Sequence, residues 1–178
     1  IDVATYWVRH GDSDAWRLDV ASELDHHFWR RLHAALGKVR PDCYIVGEVW
    51  HNSQPWLNGA EFTGAMNYAF TQPLIAHFVT WELTAEALCA QLVDQLHLYR
   101  DPVNQAMLNV LDSHDTPRLL TLAGGDERRV LQALAFTMLQ TGAPCLYYGT
   151  EMGVTGGPDP DHRKPRAWTP LHGARWQS

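Results

Sequence analysis

Short apolar runs alternate with longer stretches of helical period along this chain of 178 residues. AWRLDV (15–20), CYIVGEV (43–49), MLNVL (107–111) and PCLYY (144–148) read as strands, with a weaker run at 63–68. Each is close to continuously apolar, which suits strands covered on both faces in a parallel sheet. Between them lie helices. Phe28, Leu32 and Leu36 recur at intervals of four, behind Glu23 and Asp25 and ahead of a stop at Pro41. Thr84 stands as N-cap to a helix with Leu88, Leu92 and Leu96 on one face. Asp126 does the same for Val130, Leu131, Leu134 and Met138, with Gly142 beyond the end. Residues 3–10 read as the last turns of a further helix.

The order (α)βαβ(α)βαβαβ predicts a parallel α/β architecture. A doubly wound sheet of five strands competes with part of a (β/α)8 TIM barrel, which needs about 250 residues when complete. No Gly-rich phosphate loop follows a strand, so the hallmark of the open nucleotide-binding sheet is missing. The chain also opens inside a helix, without Met. It is therefore read as the second half of a barrel, about strands 4 to 8. Residues 1–178 would all belong to it, with the first three strands and any N-terminal domain upstream of Ile1.

Apolar residues make up 46% of the chain, enough for a packed core, and the net charge of -6 comes without a concentrated basic patch. That argues against a nucleic-acid partner. No run approaches the roughly 18 apolar residues of a membrane helix, and no signal segment opens the chain. A cytoplasmic location is the default expectation, with secretion left open because an upstream signal could have been removed. Cys43, Cys89 and Cys145 are odd in number and far apart, and are read as buried free thiols.

Ligands meet parallel α/β folds at the carboxyl ends of the strands. Polar residues fall there repeatedly: Arg17-Leu18-Asp19 on the first strand, Glu48 before Val49, Trp50 and His51 on the second, Asp112-Ser113-His114-Asp115 on another. Period-two alternation puts Arg17 and Asp19 on one face. Each carboxylate alone has a structural explanation: a rim salt bridge, a helix-dipole partner, an N-cap. Three on successive strand ends point instead to a reaction rim. Glycoside cleavage needs two carboxyl groups, one to protonate the departing oxygen and one to attack the anomeric carbon or activate water. Arg17 would hold Asp19 ionised, while apolar neighbours would favour the protonated form of Glu48, the opposite pushes this chemistry needs.

DAWRLDVASE (14–23), GEVWH (47–51) and DSHDTPR (112–118) resemble three signature regions of the α-amylase family, glycoside hydrolase family 13, in the family's order. MNYAF (66–70) and the tail GAPCLYYGTEMGVTGGPDPDHRKPRAW (142–168) are similar to its neopullulanase, cyclomaltodextrinase and maltogenic amylase branch. The resemblance implies a retaining cleavage of α-1,4-glucosidic bonds in α-glucans and maltooligosaccharides. It casts Asp19 as nucleophile, Glu48 as general acid/base and Asp115 as the carboxylate that supports the transition state. Arg17 orients the nucleophile, His114 and Trp50 contact sugar, and Asp159 with Arg163 binds the non-reducing side. No cofactor is implied. Calcium remains open for a full-length protein, and this branch's N-terminal domain would make such a protein a homodimer.

Ala15 stands where the family usually has Gly, and Ser22 where this branch usually has Asn. The family's first signature region would lie upstream of Ile1. The alternatives are thus a non-catalytic or weakly sugar-binding piece, or a transglycosylase or isomerase with the same carboxylates. His26, His33 and His97 read as surface or packing residues, Tyr147 and Tyr148 as packing, and Glu151 as a loop-fixing acceptor. His162 near Asp159 reads as packing ahead of lining the cleft.

Overall fold

The computed structural model describes residues 1–165. In chain order these form α1 (Asp2–His10), β1 (Ala15–Leu18), α2 (His26–Val39), β2 (Tyr44–Gly47), β3 (Gly64–Ala65), α3 (Tyr68–Leu74), α4 (Ala85–Leu98), α5 (Asp101–Ala106), β4 (Leu108–Val110), α6 (Leu119–Leu122), α7 (Glu127–Met138) and β5 (Ala143–Cys145). The last three residues of the tail motif, Arg166, Ala167 and Trp168, lie outside the described residues.

Strands β1, β2 and β3 pair in parallel and in chain order, with Leu18 opposite Gly47 and Gly47 opposite Ala65. Met66, one step past β3, bridges in parallel to Leu108 of β4, and β4 pairs with β5. Each strand lies beside the next one in sequence. A doubly wound sheet would reverse direction partway; the wall of a (β/α)8 barrel does not. The fold is a partial barrel of parallel β/α units.

The chain divides into two compact units. The first comprises Ile1–Ala69, Val93–Leu108 and Thr141–Ala143. Its core joins Trp29, Leu32 and Leu36 of α2 to Leu18, Ile45, Phe62 and Ala65 on and beside the strands. The buried stripe of α2 thus begins at Trp29, and Phe28, expected on that face, is exposed. Asp25 caps the helix by accepting from the backbone N–H of His27 at 2.6 Å and of Phe28 at 3.3 Å. Gly64 admits no side chain, because a Cβ there would stand 2.0 Å from the Ala106 carbonyl. That carbonyl also accepts from the Tyr44 hydroxyl at 2.6 Å, which seats the end of α5 against β3.

The second unit comprises Phe70–Leu92, Asn109–Gln140 and the chain from Pro144 onward. Leu74, Val79, Leu88, Leu119, Val130 and Ala133 are central to its core. Asp126 caps α7 as predicted, accepting from Arg128 N–H at 3.0 Å. Thr84 Oγ1 likewise accepts from Ala87 N–H at 3.3 Å ahead of α4. Leu96 of α4, expected on the buried stripe, is exposed, as are Leu131 and Met138 of α7. Helix α3 was not legible because Pro73 sits inside it, and the chain continues as a π-helical turn over Ile75–Val79. A proline normally marks a break, and a π turn shifts the apolar period. No helix among the described residues is long and apolar enough to cross a membrane.

The cysteines are free, as expected, but not uniformly buried: Cys43 is buried, Cys145 half-buried and Cys89 exposed on α4. An apolar stretch around Cys89 suggested burial, yet that residue falls on the outer side of its helix. Burial pushes the Cys43 and Cys145 thiols up, and only the thiolate is nucleophilic. Iodoacetamide at mildly alkaline pH should therefore label Cys89 first, the half-buried Cys145 more slowly, and Cys43 only after unfolding. Peptide mass mapping checks the order, and early modification of Cys43 would contradict it.

Candidate active site

Because Leu18 and Gly47 are paired in register, the next residues, Asp19 and Glu48, leave adjacent strands at the same end. Arg17 joins them. Its Nη1 contacts Asp19 Oδ1, and its Nη2 lies 2.6 Å from Glu48 Oε1. The Asp19 carboxylate is 72% exposed and that of Glu48 only 4%. The sequence reading placed Glu48 among apolar neighbours alone. The fold gives it a shared cation from a strand 31 residues away, a pairing no local pattern reveals.

The second Glu48 oxygen, Oε2, accepts from the backbone N–H of Val20 at 3.0 Å. Val20 holds that N–H in place from a left-handed conformation, φ 45 and ψ 43. A β-branched residue there costs on the order of 1–3 kcal/mol and persists only where its surroundings over-determine it. They do. Ala21 N–H donates to the Glu48 carbonyl at 3.1 Å, Glu48 N–H to the Leu18 carbonyl at 2.9 Å, and the Trp29 indole to the Ala21 carbonyl at 2.9 Å. The chain after Asp19 is thereby wrapped around Glu48. Trp50, 45% exposed, stacks on the buried Tyr68 at 4.0 Å with the rings 13° apart.

The second unit assembles the other predicted residues. Ser113 Oγ accepts from Asp115 N–H at 3.1 Å and Ser113 N–H donates to Thr116 Oγ1 at 2.9 Å, a turn that presents Asp115. His114 Nε2 lies 3.1 Å from Asp115 Oδ2, and Arg163 Nη2 lies 3.3 Å from Asp115 Oδ1. Arg163 Nε also reaches Asp159 Oδ1 at 2.9 Å. One guanidinium again bridges two carboxylates. His162 is buried, its ring nitrogens facing the carbonyls of His114 and Gly157, so the packing reading stands.

Sequence reasoning passed over two residues that hold this arrangement. Arg118 is fully buried. Its Nε donates to the His162 carbonyl at 2.8 Å, its Nη1 to the Tyr148 carbonyl, and its guanidinium lies 4.1 Å from the Tyr147 ring centroid. Asp112 accepts from Leu119 N–H at 3.1 Å and from the Thr150 hydroxyl at 2.8 Å. Nothing in DSHDTPR distinguishes these supports from the exposed groups beside them. Among the described residues no cluster of three or more His, Cys, Asp or Glu is arranged to hold a metal ion.

Residues 1–174 match the alpha amylase catalytic domain. The chain belongs to the α-amylase family. It is 48% identical over 170 residues to a cyclomaltodextrinase of Geobacillus thermopakistaniensis, and 47% identical over 168 residues to an intracellular maltogenic amylase of Bacillus subtilis. Those matches cover 96% and 94% of this chain but 29% of each relative. Among solved structures, a cyclic α-maltosyl-(1→6)-maltose hydrolase from Arthrobacter globiformis superposes with a TM-score of 0.93 at 37% identity. That match covers 96% of this chain and 39% of the hydrolase. The chain thus spans less than a third of the length of these two curated relatives.

Burial pushes the Asp112 carboxyl up, against the opposing pull of its bonds from Leu119 and Thr150 and of Arg118. An acid whose folded pKa is raised contributes stability that is fully present below its unfolded value of about 3.9 and is lost as pH rises through the folded value. Asp112→Asn does not titrate. The stability of the parent chain relative to Asp112→Asn should therefore fall as pH rises above about 4, measured by urea unfolding. A difference that grows with pH would refute the assignment.

Proposed function

We propose that the polypeptide carrying this chain is a retaining glycoside hydrolase of α-1,4-glucosidic bonds in maltooligosaccharides, cyclodextrins, pullulan or starch. The observation that carries the reading is the Arg17 guanidinium shared between Asp19 and Glu48 at the ends of adjacent parallel strands. Asp19, the open carboxylate, attacks the anomeric carbon. The glycosidic C–O bond breaks as Glu48 delivers its proton to the departing oxygen. Water then attacks the same carbon, gives a proton to Glu48 and releases Asp19. Asp115 supports the transition state with His114 beside it, Trp50 offers an aromatic face to the sugar past the cleavage point, and Asp159 and Arg163 take the non-reducing side. The names of the relatives, a cyclomaltodextrinase and a maltogenic amylase, support the substrate class. The intracellular relative supports a cytoplasmic site of action.

In the full-length protein, Asp19→Asn should lower turnover of maltotriose by about 10⁴-fold or more, as removal of a covalent nucleophile does; substantial residual activity would sink the role. Retention requires the sugar released first to be the α anomer, read by proton NMR before mutarotation. It also places the Asp19 and Glu48 carboxyls about 5–5.5 Å apart in the working enzyme. A first-formed β anomer would mean inversion.

A second reading concerns the 178 residues alone. They span 29% of the relatives' length, and Asp19 and Glu48 belong to one unit while Asp115 belongs to the other. The isolated chain should show no turnover of maltotriose or cyclodextrin, and measurable release of glucose or maltose would contradict that.

A further inference from the structure

Glu61, three residues ahead of β3, has a side chain that is 0% exposed and gathers three donors. His26 Nδ1 lies 2.7 Å from Oε2, and Arg30 Nη1 and Asn58 Nδ2 lie 3.1 and 3.0 Å from Oε1. His33 Nδ1 lies 3.0 Å from the Glu61 backbone carbonyl. His26, Arg30 and His33 are spaced i, i+4, i+7 on one face of α2. A buried carboxylate is costly unless fully paired, and packed apolar residues would usually hold two elements together as well. Its connections account for its presence. Its neighbour Phe62 presses on Gly47, where a Cβ would meet the Phe62 ring at 2.5 Å, and Gly47 directly precedes Glu48. Phe62 also packs edge-on against Trp29, ring centroids 5.3 Å apart, and Trp29 holds the Ala21 carbonyl. On the other side His26 stacks on Trp56 of the segment that follows Glu48, 5.3 Å between centroids.

We propose that Glu61 is a positioning residue for the catalytic pair, latching the segment after Glu48 onto the helix after Asp19 and so aiming the Glu48 carboxyl at the departing oxygen. This rests on the reading of Glu48 as general acid. A glucosyl leaving group needs that proton, whereas fluoride departs without one. The ratio of the two specificities also cancels any loss of folded enzyme.

The test measures kcat/KM of the full-length protein for maltotriose and for α-maltosyl fluoride, in parent, Glu61→Gln and Arg30→Ala forms. Glu61→Gln should lose about tenfold or more on maltotriose, a modest part of what general acid catalysis contributes, and change less than about twofold on the fluoride. Arg30→Ala, which removes one half-exposed partner, should shift the ratio in the same direction by less, and it carries the test if Glu61→Gln does not fold. Equal losses on both substrates, or no loss on either, would overturn the positioning role while leaving the proposed function intact. A parent protein inert on both substrates would overturn the proposed function and the positioning role together.

Discussion

One guanidinium shared between two carboxylates is the interaction on which the first unit depends. Glu48 is almost fully buried, and an unpaired buried carboxylate would be strongly destabilising. Arg17 removes that cost and at the same time holds Asp19, which is open to solvent. A planar fork can serve two acceptors at once, as a lysine ammonium on its flexible stem would not. The left-handed Val20 follows from the same demand. Its N–H is needed on the second Glu48 oxygen, and the chain accepts an unfavourable backbone conformation to put it there.

The second unit repeats the device. Arg163 spans Asp115 and Asp159 at the surface, while the buried Arg118 donates to two carbonyls through Nε and Nη1 and lies over two tyrosine rings, its Nη2 without a hydrogen-bond partner among the described residues. Carbonyls and π faces neutralise a buried cation less completely than a carboxylate, but they bind several chain segments at once. Arg118 joins the turn after β4 to the segment 148–162 through Tyr148, Gly156 and His162. Asp112 does the complementary work, tying the start of α6 to Thr150. The exposed Arg163 and the half-buried His114 flank the buried His162, whose carbonyl Arg118 holds.

Much of this was legible beforehand. The five strands were found because runs such as CYIVGEV are close to continuously apolar, and three helix starts because Asp25, Thr84 and Asp126 announce them. The residues at strand ends could be named because alternation and fold class together say where a rim lies. What escaped were elements whose local signal points elsewhere: α3 with its internal proline, and α5, too short for a period to show. The supports escaped too. Glu61, Asp112 and Arg118 are charged residues whose partners, apart from Asn58 and Leu119, lie tens of positions away, and nothing in the adjacent sequence names those partners.

The amino-acid sequence by itself determined the parallel β/α order, the helix caps and which acidic residues sit at strand ends, because these follow from periodicity and from chemistry within a few residues. Only the tertiary structure decided which charges share a partner. Arg17 reaching Glu48, Glu61 drawing in His26 and Arg30, and Arg118 resting on two tyrosines are contacts between residues tens of positions apart. Their strength comes from burial, a property of the packed chain and not of any stretch of it.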